Sequence, residues 1–188
     1  MQKVLANSKK LLVLNKPKGY LVTRADDLGR KTVYDLLPNW AYSEGWMPIG
    51  RLDLKSKGLL LFTTDGQINN ALTKPGGCEK VYEIWVRGFV TDEHIAEAKS
   101  GIESEFGLLK ALSVEKLGKG GAKTKLKVVI NEGKNRHIRR LFGAMKDPKF
   151  GTPLKVLELK RISIGDFNLD IESGKWRYLT VEEEKSLF

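Results

Sequence analysis

The chain has 188 residues, 41% of them hydrophobic, with a formal net charge of +10 and a sequence pI of about 9.6. That size holds one domain with a sizeable core, or two small lobes sharing one, and the apolar content excludes gross disorder. No apolar run approaches the roughly 18 residues that cross a bilayer. The opening MQKVLANSKK lacks a signal peptide's apolar middle, and the single Cys78 has no partner for an internal disulfide. A cytoplasmic protein with no membrane association is expected. The excess positive charge points to an anionic partner, of which nucleic acid is the commonest.

In chain order, Leu11 to Asn15 (LLVLN) reads as a short buried strand, and NKPKG then turns the chain at Pro17 and Gly19. Tyr20 to Thr23 reads as a second strand, and Thr32 to Leu37 as a short helix that stops before Pro38. The apolar run Gly58 to Thr64 is expected to be a central strand, followed by a helix over Gly66 to Lys74 that ends at Pro75-Gly76-Gly77. Glu79 to Arg87 alternates, which places Tyr82, Ile84 and Val86 on one face of a strand. Thr91 can cap a helix through Ile95, Ala98 and Ile102, with Asp92 and Glu93 at its positive end. Lys116 to Ala122 (KLGKGGA) reads as a hairpin loop before a strand over Lys125 to Ile130. A helix over Asn135 to Lys146, a strand over Leu154 to Phe167 and a capping box at Thr180 and Glu183 complete the pattern. Strands outnumber helices and do not alternate with them regularly. The expected class is α+β, with a largely antiparallel or mixed sheet flanked by helices. No linker divides the chain, so residues 1–188 are read as a single domain.

Two segments carry candidate chemistry. Gly50-Arg51-Leu52-Asp53 precedes the central strand, where an acid is held rigidly yet stays accessible. The competing reading is a turn cap, with Asp53 bonding backbone N–H groups near Ser56. The second segment, NEGKNRHIRR from Asn131 to Arg140, ends a strand, turns at Gly133 and opens a helix with packed arginines. It suits phosphate or carboxylate, and generic anion binding without catalysis is its competing reading. From Lys116 to Arg140 there are nine Lys or Arg residues and one acid, Glu132. They form either a solvated face or a track for a polyanion.

Four motifs in order make a specific resemblance. GRLDLKSKGLLLFTTDG resembles the catalytic motif of the RsuA-like pseudouridine synthases, and NEGKNRHIRRL their late basic motif. LNKPKGYLVT resembles their opening motif and Lys80-Val81-Tyr82 their K-x-Y motif, so the likeness runs from about Leu11 to Leu141. Three positions depart from the usual spelling: Lys55, His137 and Leu141. About ten residues precede the first motif, so the small N-terminal RNA-binding domain of many members is not expected here. In this the chain is similar to the ribosomal large subunit pseudouridine synthase E type.

The resemblance implies a pseudouridine synthase catalytic fold, two lobes around a cleft, and isomerisation of one uridine of ribosomal RNA, 23S being the expected target. It implies Asp53 as the essential carboxylate, acting as a nucleophile or by taking a proton from the sugar. Arg139 is implied as its charged partner and Tyr82 as the aromatic that stacks on the target base; core packing is the other reading of Tyr82. Ile138 is expected to pack beside the site. Arg51 is expected to fill the space a flipped base vacates, or else to make a structural ion pair. Lys16 is expected to support the active-site loop or contact phosphate. Lys80, Lys134, Arg136 and Arg140 are the further RNA-contact candidates. No cofactor and no metal are expected, since the sequence has no phosphate loop, dinucleotide fingerprint or metal-ligand cluster. RNA is the expected partner, DNA is not, and a monomer is expected. A non-catalytic RNA-binding or ribosome-assembly factor, a methyltransferase and a synthase acting on transfer RNA are the competing functions. NKPKG is a poor match for a methyl donor's Gly-rich turn.

Overall fold

A computed structural model describes residues 10–188. The opening segment read above for a signal peptide lies outside the described residues, apart from Lys10. One mixed sheet runs through the chain. Its strands are β1 (Leu11–Lys16), β2 (Met47–Pro48), β3 (Lys57–Thr63), β4 (Lys80–Arg87), β5 (Ser113–Lys119), β6 (Lys123–Ile130), β7 (Lys155–Ile164), β8 (Phe167–Asn168) and β9 (Trp176–Tyr178). The order across the sheet is β5-β6-β4-β7-β3-β1-β9, with β2 on β3 and β8 on β7. Every pairing is antiparallel except β3 with β7, which touch through only Lys57–Lys160 and Gly58–Arg161. Two antiparallel half-sheets therefore meet at a short parallel junction, and the expected α+β class stands.

That junction explains Gly58. Its φ is +108°, and a Cβ there would fall on the Arg161 carbonyl oxygen and lie 2.8 Å from the Arg161 nitrogen. Gly58→Ala should therefore destabilise the protein by about 3 kcal/mol or more, through both the disfavoured φ and the backbone overlap. Urea unfolding measures this directly. A loss below about 1 kcal/mol would mean that the half-sheets can separate cheaply.

Alternation decides which side of each strand is buried. On one face Leu12, Leu14, Leu60 and Phe62 join Tyr82, Ile84, Val86, Leu126 and Val128. They pack with a 3-10 turn (Val33–Leu36), α1 (Asn39–Ser43), α3 (Asp92–Ser100) and α4 (His137–Gly143). On the other face Leu11, Val13, Leu59 and Leu61 pack with Leu72 of α2 (Gly66–Thr73) and with Leu187, just beyond α5 (Val181–Lys185). This second core covers the β1–β3 half of the sheet.

Several boundaries differ from expectation for identifiable reasons. Tyr20 to Thr23 is not a strand: Leu21 makes one isolated bridge to Thr32, and the stretch serves as a loop. The helix expected from Asn135 begins only at His137, because Arg136 takes a left-handed conformation (φ 50°). The helix capped by Thr91 stops at Ser100, and Ile102, expected within it, bridges Leu109 instead. The strand expected over Leu154 to Phe167 breaks at a turn after Ile164. β5 escaped notice because it is an edge strand whose residues are nearly all exposed, so no apolar alternation marks it.

Candidate active site

The loop between β2 and β3 carries Asp53 to the rim of the sheet and is tied down from behind. Gly19 donates its N–H to the Leu54 carbonyl (2.8 Å), and Ser56 donates its N–H to the Asp53 carbonyl (2.9 Å). Lys16, fully buried at the end of β1, donates from Nζ to the carbonyls of Pro17 (3.1 Å), Asp53 (3.2 Å) and Ser56 (2.8 Å). Desolvation lowers its pKa to about 8, with the Asp53 charge opposing that shift. Of the two expectations for Lys16, these bonds fit loop support. Contact with phosphate is corrected, because an ammonium with no exposed surface cannot reach RNA.

The Asp53 carboxylate is not spent as a turn cap. The bond to Ser56 uses the Asp53 main-chain carbonyl, and the carboxylate meets Arg139, with Nε 3.5 Å from Oδ2. The Asp53 side chain is 40% exposed and that of Arg139 12%. Arg139 is aimed by two further bonds, Nη1 donating to the Val156 carbonyl (2.8 Å) and Nη2 to Ser56 Oγ (3.3 Å). Burial pulls its pKa below the usual guanidinium value, and the Asp53 charge pulls it back.

Two adjoining hollows open at this pair. The larger, of about 400 Å³, is lined by Arg51, Lys55, Arg136 and Arg139 around Asp53, with Leu21 and Val22 on its wall. The smaller continues beneath it to Tyr82, Ile130, Ile138 and Leu159. Among the described residues Asp53 is the single acid lining either hollow. The structure thus gathers Asp53, Arg139, Tyr82, Arg51, Arg136, Lys134 and Ile138 at one place. Arg51 makes no ion pair among the described residues, so the structural ion pair weighed for it is absent.

Lys80 and Arg140 lie elsewhere than expected. Lys80 is 8% exposed, and its Nζ donates to the Cys78 carbonyl at 2.7 Å, so direct contact with RNA is corrected. Arg140 lines neither hollow. Its guanidinium bonds Glu105 (2.7 Å) and Asn135 (3.2 Å) and lies 3.9 Å from the centre of the Phe106 ring. Lys134 is partly engaged, donating to the Leu108 carbonyl and pairing with Glu132 at 3.2 Å. His137, one of the departures in spelling, is 3% exposed, and its Nε2 meets the Lys110 carbonyl at 3.0 Å. Burial lowers its pKa, so the neutral ring donates from Nε2 and braces the segment before β5.

Sequence reasoning missed Ser56, Leu159 and Arg161. Arg161 is 2% exposed; it donates from Nε to the Leu59 carbonyl (2.7 Å) and from Nη1 to the Tyr82 hydroxyl (3.5 Å). Its Nη2 has no partner among the described residues. The signal was present: Leu159, Arg161 and Ser163 share a parity along β7, so a cation had to point inward with Leu159.

The sequence pattern described as RNA pseudouridylate synthase matches residues 10–144, which contain every lining residue except Leu159. The chain belongs to that family. Among curated relatives, ribosomal large subunit pseudouridine synthase B of Vibrio cholerae is 40% identical over 177 residues, covering 93% of this chain and 53% of the relative. The enzyme of the same name from Haemophilus influenzae is 36% identical over 176 residues, covering 92% and 47%. The chain therefore spans about half the length of these relatives. A crystal structure of a pseudouridylate synthase matches with TM-score 0.81 and 31% identity, over 95% of this chain and 74% of that one. An H/ACA RNP bound to a substrate RNA shares only the fold, with TM-score 0.61 and 19% identity over 86% of this chain and 49% of that one. The relatives carry the name synthase B, where the reading of the sequence pointed to the E type.

Proposed function

We propose that this chain isomerises a uridine of large-subunit ribosomal RNA to pseudouridine. The observation that carries the reading is Asp53, a lone carboxylate held by Arg139 among cations at the mouth of a hollow walled by Tyr82. The reaction breaks the bond between N1 and the sugar C1′, turns the base and joins C5 to C1′; the C5 proton leaves and N1 gains one. The isomerisation needs no external oxidant or reductant and transfers no phosphoryl group, so none of the steps calls for a cofactor. Both routes open to Asp53, attack on the sugar and removal of a sugar proton, need the ionised carboxylate that Arg139 favours. Tyr82 stacks on the base, with Arg161 at its hydroxyl, and Ile138 and Leu159 close the hollow around it. Arg51 takes the space the flipped base leaves, and Arg136 and Lys134 meet phosphates.

The E type read from the sequence and the synthase B of the relatives are both named for the ribosomal large subunit, and the proposal rests on what they share. The protein is proposed to act as a monomer in the cytoplasm. Among the described residues no helix is long and apolar enough to cross a membrane. Pseudouridines are mapped by adduct formation and primer-extension stops in ribosomal RNA from cells lacking the gene, then from cells given it back. One 23S site lost and restored is the expected result. An unchanged ribosomal map with a lost site in transfer RNA would move the substrate, and no lost site anywhere would favour binding without chemistry.

A further inference from the structure

The outward face of β4, β6 and β7, opposite the catalytic hollow, is an uncovered and mostly cationic sheet surface. Strand register sets its rows. Arg87 stands between Lys123 and Lys155, Trp85 between Lys125 and Glu158, and Glu83 between Lys127 and Lys160. The inward residues of the same strands are buried, while Trp85 is half-buried and Arg87, Lys123 and Lys155 are exposed. Like charges directly opposite one another destabilise a sheet, and the first row has three cations and no acid. The two acids in the other rows are already used: Glu83 pairs with Lys125 and Glu158 with Lys57, both at 2.9 Å. Arg87, Lys123, Lys127, Lys155 and Lys160 make no ion pair among the described residues. Beside them Trp85 edges a hollow with Gly120, Lys123, Leu157 and Glu158.

We propose that this face binds a single-stranded stretch of RNA outside the catalytic hollow, a base stacking on Trp85 while Arg87, Lys123 and Lys155 meet phosphates. An aromatic on an open sheet with cations on adjoining strands supplies both parts of such a site, stacking and a track for the backbone. An acidic protein would use the cations but gain little from the tryptophan, and a duplex would hide its bases. The proposal takes RNA as the partner, as the functional reading does, but is independent of the isomerisation.

The test uses the full chain and fluorescein-labelled oligoadenylate of twelve nucleotides, which contains no uridine and so cannot be a substrate. Anisotropy is read from low to moderate salt. A triple replacement, Arg87→Gln with Lys123→Gln and Lys155→Gln, should weaken binding by about tenfold or more and lower the salt slope by about 2. Trp85→Ala should weaken binding by about fivefold or more at every salt concentration without changing the slope. All four residues lie outside the site proposed for chemistry, so tritium release from C5-tritiated uridine in 23S transcripts should keep its kcat while KM rises. Wild-type affinity in the triple variant overturns the proposal, and wild-type affinity in Trp85→Ala overturns the single-strand assignment. If wild type isomerises 23S transcripts but does not bind oligoadenylate, the surface fails and the enzymatic reading stands. Face-dependent binding without isomerisation has the reverse meaning.

Discussion

Asp53→Ala is expected to lower isomerisation by about 10⁴-fold or more, the scale seen when an essential group of a catalytic unit is removed. No neighbour is placed to substitute, because among the described residues Asp53 is the single acid lining either hollow. The fold should survive. The Asp53 side chain is 40% exposed, and Arg139 keeps its bonds to Val156 and Ser56 when the carboxylate is gone. Arg139 is largely buried but keeps those two bonds, and Asp53 is the solvent-facing partner at 3.5 Å, so the loss should be on the order of 1 kcal/mol and the unfolding midpoint should fall only slightly. RNA affinity should stay within about threefold of wild type, since phosphate contacts rather than the acid carry it. Asp53→Asn keeps the shape and loses the charge, and should be as inactive as the alanine variant. Single-turnover tritium release, a urea melt and RNA anisotropy separate the three quantities. Activity within tenfold of wild type in either variant would remove Asp53 from the chemistry.

Regular alternation was legible wherever both faces of a strand had a definite fate. Tyr82, Ile84 and Val86 on β4, and Leu126, Val128 and Ile130 on β6, all point inward as their spacing demands. The cap at Thr91 and the capping box at Thr180 form as their own side chains dictate. The errors fall where tertiary contact overrides the local pattern. The stretch from Tyr20 has strand-like residues but no strand beside it, so it becomes a wall of the larger hollow through Leu21 and Val22. Asp53 and Arg139 could be singled out by their motifs, but their ion pair joins residues 86 positions apart and needs the fold. Arg140 sits next to Arg139 in a short helix, yet it faces Glu105 and Phe106. In a run of basic residues, spelling cannot say which cation faces the acid; helix rotation does. Lys16 and Lys80 show the same limit, because a lysine at a strand end satisfies buried carbonyls as readily as phosphates.

Lys16→Met tests that distinction and should have the second-largest effect. Methionine fills similar space and donates nothing, so the Pro17 and Ser56 carbonyls lose this bond, while the Asp53 carbonyl keeps the Ser56 N–H. The expected loss is about 2 kcal/mol of stability, with the lost hydrogen bonds outweighing the relief of no longer burying an ammonium. A loosened Asp53 loop should also lower kcat by about 10- to 100-fold. The salt slope of RNA binding should not change; a fall of about 1 would make Lys16 a phosphate contact after all. pH gives an independent reading. The folded-state pKa of Lys16 is about 8, below the ordinary lysine value of 10.5. Below pH 8 both folded and unfolded chains hold the proton, and the folded state bears the cost of burying it. Between pH 8 and 10.5 the unfolded chain binds more protons, so this group adds to stability as pH rises. The variant lacks the group, and other titrations cancel in the comparison. The stability gap between wild type and Lys16→Met should therefore widen from pH 8 to 10.5 in urea melts, and a gap that narrows would mean that the Lys16 ammonium is not desolvated in the fold.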